Sequence, residues 1–409
     1  MNKSLKKALI AHTLSKYDVF LFGFLASIIK PLFFPTSEFI ANLAMFASFA
    51  AGYLIRPIGA IYFSHIGDRY GRKDAFMRTV LFMMFPTLII TFLPGYEYIG
   101  LAAPIILIAS RLVQGFGSGG EFSGVAVYGV ELVKKDRGFT GGLIRSVGFL
   151  GTAIGTAIAS FMTLSFMPSW AWRISFLIGA TATLYSYFLR KKMEESKYFE
   201  EIKEKNQIEK VPFFTLVKIH KFRIITIFLV SSCAYVFLYF STIYMNSLYS
   251  DKFGFAPTSN LIISTIIMLS WMVITPVSGI IADRIGLLNL LTKTAWFGLF
   301  STPIAFYIAF SNFSYVSIFC LQMFLTICGG MFFGAVPALF KEIFPTEVRY
   351  TGTSFSNTLA QATIGSLSPF YASLIVGISG VDSMAGVVVF ISIILGLVGL
   401  TLCKRYVNG

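Results

Sequence analysis

His65-Ile66-Gly67-Asp68-Arg69-Tyr70-Gly71-Arg72-Lys73 lies between two long apolar runs and crowds its charges into one short turn. A charged turn so placed belongs at a membrane face. Ala282-Asp283-Arg284-Ile285-Gly286 repeats it more weakly in the second half of the chain. Around it the 409 residues are 56% apolar and only 13% charged, with a mean hydropathy of +0.76. A water-soluble domain cannot bury so much apolar surface, and long runs almost free of charge read as membrane helices.

Twelve spans follow, at 17–34, 38–64, 75–94, 99–131, 140–165, 170–189, 223–249, 258–281, 289–310, 313–340, 352–378 and 382–403. Each is long enough, at about 1.5 Å per residue, to cross a hydrocarbon core of about 30 Å. The fold class expected is an all-α integral membrane protein with two pseudo-symmetric six-helix bundles. The bundles are 1–189 and 223–409, with 190–222 as a hydrophilic link. The net charge of +14 gathers on no single arm or domain, so a nucleic-acid partner is not expected. Of the 33 lysines and arginines, all but Lys30, Arg56, Arg111, Arg145, Arg173 and Lys252 fall on one face, the basic face. By the positive-inside rule that face is cytoplasmic, with both termini on it, in an inner membrane.

The halves are matched beyond the charged turn. Asp68 and Gly71 pair with Asp283 and Gly286, and Glu131 and Arg137 with Glu342 and Arg349, at a nearly constant offset. Asp68, Arg69, Gly71, Arg72, Glu131, Arg137, Asp283, Arg284, Glu342 and Arg349 are therefore candidates for a conformational latch. Parallel halves of this kind place a binding site at their interface.

Charges inside apolar spans mark function, because each is costly to bury. Asp18 sits in the first span, Arg56 in the second and Arg145 at the start of the fifth. In the fourth, Arg111, Gln114, Ser118 and Glu121 fall on one stripe within an arc of about 80°. Arg111 and Glu121 stand about 15 Å apart along the axis, too far to pair directly. Each needs a partner on another helix or in a polar path. The second half supplies neutral groups, among them Tyr235, Tyr239, Asn357 and Gln361. Gly115-Phe116-Gly117-Ser118-Gly119-Gly120 matches G-x-G-x-x-G, but it lies inside a span rather than after a strand. Its glycines are read as allowing close helix approach. No nucleotide loop and no metal-ligand spacing is present, and Cys233, Cys320, Cys328 and Cys403 all lie in apolar spans.

Gly67-Asp68-Arg69-Tyr70-Gly71-Arg72-Lys73 resembles the 2–3 loop signature of the major facilitator superfamily, and Arg111-Leu112-Val113-Gln114-Gly115 its fourth-helix signature. Leu54-Ile55-Arg56-Pro57-Ile58-Gly59, Gly119-Gly120-Glu121, Arg137-Gly138-Phe139, Trp172-Arg173-Ile174 and Phe344-Pro345-Thr346 are similar to its metabolite–proton symporter branch. That branch includes proline/glycine-betaine and 2-oxoglutarate transporters. The resemblance implies proton symport of a small organic metabolite by alternating access, driven by the proton-motive force without a cofactor. Its implied partners are the metabolite, the proton and the bilayer, without nucleotide, and a monomer is expected. Glu121 is then the first candidate for proton coupling, with Asp18 second and Arg111 assisting. Arg56, Arg111, Arg145, Gln114, Tyr239, Asn357 and Gln361 are the candidates for substrate binding. The proline/betaine members have acids where this chain has Ser15 and Arg145, and a Trp where it has Lys16. That difference moves the expectation toward an anionic or zwitterionic metabolite. A facilitator or exchanger without proton coupling is the alternative.

Overall fold

The computed structural model describes residues 3–18, 21–35, 48, 51–133, 135–164, 166–205 and 212–407. The outer part of the second expected span, residues 38–47, lies outside them. Every regular element described is helical. The helices used below are α1 (Lys3–Lys16), α2 (Arg56–Arg69), α3 (Arg72–Phe92), α4 (Ala102–Glu131), α5 (Arg137–Met162) and α6 (Trp172–Lys191). In the second half they are α7 (Lys221–Tyr239), α8 (Pro257–Ile285), α9 (Leu287–Ser311), α10 (Tyr315–Ile343), α11 (Arg349–Ala360) and α12 (Gly386–Val407). Among the described residues eight helical stretches are long and apolar enough to cross a membrane. The first, second, fourth and sixth expected spans fall outside that set. All four hold, end on or break beside one of the buried charges Asp18, Arg56, Arg111, Glu121 and Arg190 discussed below.

The first span differs from expectation. Helix starts at Lys3 rather than Tyr17, breaks at Tyr17–Asp18, and resumes as Leu21–Phe24 and Ala26–Phe33. Four lysines do not unwind α1, because Leu5, Ala8, Leu9, His12 and Ser15 recur at helical spacing and are buried. They pack against α5 and α6. The charged turn is also tighter than expected: only Tyr70 and Gly71 separate α2 from α3, and Gly71 takes a φ of +123° that a side chain would strain.

The glycines of the fourth span serve helix contact, as read. A Cβ on Gly115 would stand 2.1 Å from the Gly52 carbonyl oxygen, and one on Gly59 1.9 Å from that of Phe116. α2 and α4 thus touch backbone to backbone. α5 and α8, one from each half, do the same: a Cβ on Gly142 would lie 2.3 Å from the Thr275 oxygen. This pair forms the most extensive helix contact in the molecule.

The hydrophilic link is docked rather than loose. Phe199 in Lys197–Glu204 and Leu216 in Pro212–Ile219 are buried, and Phe213 meets Phe355 of α11 edge-on at 5.2 Å. Glu195 accepts hydrogen bonds from the Arg72 and Lys73 amides at 2.9 and 3.2 Å, at the open end of α3. Burial raises the Glu195 carboxyl above its ordinary range, and those N–H groups with that of Ser196 pull it back.

The packing predicts that Gly115→Val abolishes monodisperse, detergent-extracted protein, whereas Gly377→Ala, with nothing within 4 Å of its added carbon, leaves it intact. Size-exclusion profiles of the two variants check this.

Candidate functional site

A cavity of about 620 Å³ lies where the halves meet, walled by α1, α2, α4 and α5 on one side and α7, α10 and α11 on the other. Lys16, Arg56 and Arg145 line it, together with His12, and among the described residues no carboxylate does. Arg145 is held between the rings of Phe122 and Phe333, with its guanidinium carbon 3.4 and 3.7 Å from their centroids. Ring faces stabilise a desolvated cation by about 2 kcal/mol but satisfy none of its N–H groups. Its Nε and Nη2 have no hydrogen-bond partner among the described residues. Arg56 lies 3.8 Å over the Tyr53 ring, and its Nε is likewise unmatched. Neither arginine forms an ion pair among the described residues. Two guanidinium groups with unmet donors at an interface are able to donate hydrogen bonds to an anion.

Glu121 lies behind the cavity wall, fully buried. One of its oxygens meets His12 Nδ1 and Arg190 Nη2, both at 2.9 Å, and the other meets Lys16 Nζ at 2.8 Å. Arg190 also donates to Ser15 Oγ at 2.8 Å and to the Phe76 carbonyl at 3.2 Å. The acid is therefore the shared counter-ion of α1 and α6.

A smaller cavity of about 240 Å³ shares Arg56 and Ser118 with the first and holds Asp18, Arg111 and Gln114. Asp18 Oδ2 accepts from Thr87 Oγ1 at 2.6 Å and from Gln114 Nε2 at 2.7 Å, and its Oδ1 has no hydrogen-bond partner among the described residues. Gln114 in turn accepts from Arg111, whose guanidinium lies 4.5 Å over the Phe22 ring. Among the described residues Asp18 forms no ion pair.

The basic face is closed by a buried cluster. Asp68 pairs with Arg72 at 2.8 Å and accepts from the Thr351 amide and hydroxyl at 2.8 and 2.7 Å. Its other oxygen takes the Tyr350 amide at 3.4 Å. A carboxylate of one half thus seats on the positive N-terminus of α11 in the other. Arg349 joins it through Glu131 at 2.7 Å, and Glu131 also accepts from Ser196 at 2.5 Å. In the reciprocal arrangement, Asp283 accepts from the Gly138 and Phe139 amides, both at 2.8 Å, at the N-terminus of α5. Arg137 pairs with Glu342 at 2.8 Å, about a third exposed on both sides.

A sequence model described as Major Facilitator Superfamily matches residues 9–369. The chain belongs to that superfamily. It is accordingly a multi-pass membrane transporter and not an enzyme. A citrate-proton symporter of Klebsiella pneumoniae is 31% identical over 399 residues, covering 96% of this chain and 89% of its own. A putative proline/betaine transporter of Staphylococcus aureus is 30% identical over 395 residues, covering 92% and 84%. The proton:xylose symporter XylE, solved with 6-bromo-6-deoxy-D-glucose, superposes with a TM-score of 0.80 at 16% identity, over 98% of this chain and 95% of that one.

Within this transporter the expected binding residues divide. Arg56, Arg145, Asn357 and Gln361 line the large cavity. Tyr239 stands behind Gln361, accepting its amide at 2.8 Å. Arg111 and Gln114 face the smaller cavity. Asp68, Arg72, Glu131, Arg137, Asp283, Glu342 and Arg349 meet across the basic face. Arg69 does not: it is exposed and contacts only the Tyr70 ring, at 5.3 Å. Arg284 is exposed too and forms no ion pair among the described residues. His12, Lys16, Arg190, Phe122 and Phe333 were given no role from sequence. His12 and Lys16 carried a usable signal, their i,i+4 spacing on one face of α1.

Loss of the Asp68 charge uncaps α11, a helix-terminus interaction worth up to about 2 kcal/mol when partly buried. Asp68→Asn is expected to slow transport severalfold at normal membrane abundance. Asp283→Asn, at an exposed carboxylate, is expected to do less. Initial uptake rates set against immunoblotted protein check the order, and wild-type rates in Asp68→Asn would remove its latch role.

Proposed function

We propose that this transporter carries a small organic polyanion, a di- or tricarboxylate, inward together with protons across a bacterial inner membrane. The observation that carries this is the interface cavity, with Lys16, Arg56 and Arg145 on its wall and no acid among the described residues. A quaternary ammonium or an amino group needs a carboxylate or an open ring face. The ring faces of Phe122 and Phe333 are already occupied by Arg145. The name of the citrate-proton symporter relative supports the same substrate class.

In this proposal the basic face is cytoplasmic and residues 1–189 and 223–409 rock as two units, with 190–222 docked beneath them. Asp18 is the proton carrier. It can take a proton on Oδ1 without breaking an ion pair, and Gln114 links it to Arg111. Glu121 has the opposite surroundings, three basic partners, and serves as counter-ion rather than as first carrier. This reverses the order expected from sequence. Arg111 neutralises the emptied Asp18, and the Asp68 and Asp283 contacts hold the closed basic face.

Uptake into proteoliposomes under an imposed inward proton gradient tests the proposal. Citrate, malate or 2-oxoglutarate is expected to accumulate, proline and betaine are not, and an ionophore that collapses the gradient is expected to stop it. Accumulation of betaine alone would sink the polyanion reading, and indifference to the ionophore would mean a facilitator. Asp18→Asn is expected to abolish accumulation while sparing counterflow exchange. Glu121→Gln is expected to lose folded protein instead, because stranding buried Arg190 costs about 3–5 kcal/mol. Thermal melts of the two variants separate these roles.

A further inference from the structure

The cavity wall is rich in hydrogen-bond donors: the unmet N–H groups of Arg145 and Arg56, and the Lys16 ammonium. Those groups account for the carboxylates of a polyanion. They leave one wall group unexplained. Asn357, on α11, is 1% exposed and lines the cavity. Its Nδ2 donates to Tyr235 Oη at 2.8 Å, and its Oδ1 accepts from no donor among the described residues. A buried carbonyl oxygen without a donor is costly, so it calls for a hydrogen from a ligand or from the water that the ligand displaces. An ionised carboxylate has none to bring. An ammonium has, but it would enter a cavity where Arg56 and Arg145 have no carboxylate partner among the described residues, Lys16 being the partner of Glu121.

We propose that Asn357 reads a hydroxyl group, so that the carrier selects hydroxycarboxylates over the same carboxylates without the hydroxyl. The proposal rests on the polyanion reading above and narrows it. Arg145 and Arg56 hold the carboxylates, and the substrate hydroxyl donates to Asn357 Oδ1. Tyr235 is the positioning residue. By taking the Nδ2 hydrogen it turns the amide so that oxygen rather than nitrogen is left for the ligand. A site built around such an acceptor discriminates strongly, because the analogue lacking the hydroxyl leaves the oxygen stranded.

Matched pairs test this with the full-length transporter in proteoliposomes: malate against succinate, and citrate against propane-1,2,3-tricarboxylate, each pair differing by one hydroxyl. Half-saturation is read under an inward proton gradient at two pH values, so that a protonated carboxyl acting as donor shows as a pH-dependent loss of preference. The hydroxylated member is expected to be favoured about tenfold or more at both pH values. Asn357→Leu is expected to bring the ratio toward one. Tyr235→Phe, which frees the amide to turn, is expected to do the same and serves if the leucine variant does not fold. Equal handling of both members of each pair by the wild type overturns the hydroxyl proposal and leaves the polyanion reading standing. A preference that persists in both variants also overturns it. If none of the four carboxylates is taken up, the polyanion reading fails and this proposal falls with it.

Discussion

An ionised group taken out of water must find an opposite charge, a dipole or a ring face, and the arrangement of this molecule follows from how each buried charge does so. Glu121 is met by three basic side chains from α1 and α6. Asp68 is met by Arg72 and by the N-terminus of α11. Among the described residues Asp18 is met by a hydroxyl and an amide and by no ion pair. Arg56 and Arg145 lie against aromatic rings and form no ion pair among the described residues. Compensation is therefore complete at the edges of the first half and incomplete at the interface cavity. In the proposed function an anion and a proton are the complements that fill this gap, and symport brings both in the same step.

The closed face depends on the same constraint, used twice. Asp68 crosses from α2 to cap α11, and Asp283 crosses from α8 to cap α5. The pseudo-symmetry of the halves thus becomes a reciprocal exchange of carboxylates and helix termini. The two copies are not equal. Asp68 is fully buried and backed by Arg72, Glu131 and Arg349, whereas Asp283 and the Arg137–Glu342 pair stand in contact with solvent. The second copy of the turn has Leu287 and Leu288 where the first has Arg72 and Lys73, so it has no cation to bring inward. The hydrophilic link takes part as well. Glu195 sits on the first amides of α3, and Ser196 on Glu131, which ties the segment between the halves to the cluster that closes them.

The twelve-helix, two-half architecture was readable in the chain because hydrocarbon permits few solutions: apolar runs of spanning length, charged turns between them, and a basic bias to one face. That Asp68, Arg72, Glu131, Arg137, Asp283, Glu342 and Arg349 would gather at one face was readable for a related reason, since repeated charges at repeated turns fall on the same side of the membrane. The glycines of the fourth span were readable as contact surfaces, because nothing around them resembled a phosphate loop. What the chain by itself did not contain was which charges meet. His12 and Lys16 are distant in sequence from Glu121, and Arg190 read as the edge of a basic link. Only the packing of α1 and α6 against α4 makes the three a counter-ion set, which is the reason the proposed function puts Asp18 before Glu121 as proton carrier. The division of Arg145 from Arg111 into two cavities, with Arg56 on the wall of both, was likewise decided in three dimensions. Helical periodicity fixes the stripe a residue occupies, while the partner that stripe faces is set by the neighbouring helix.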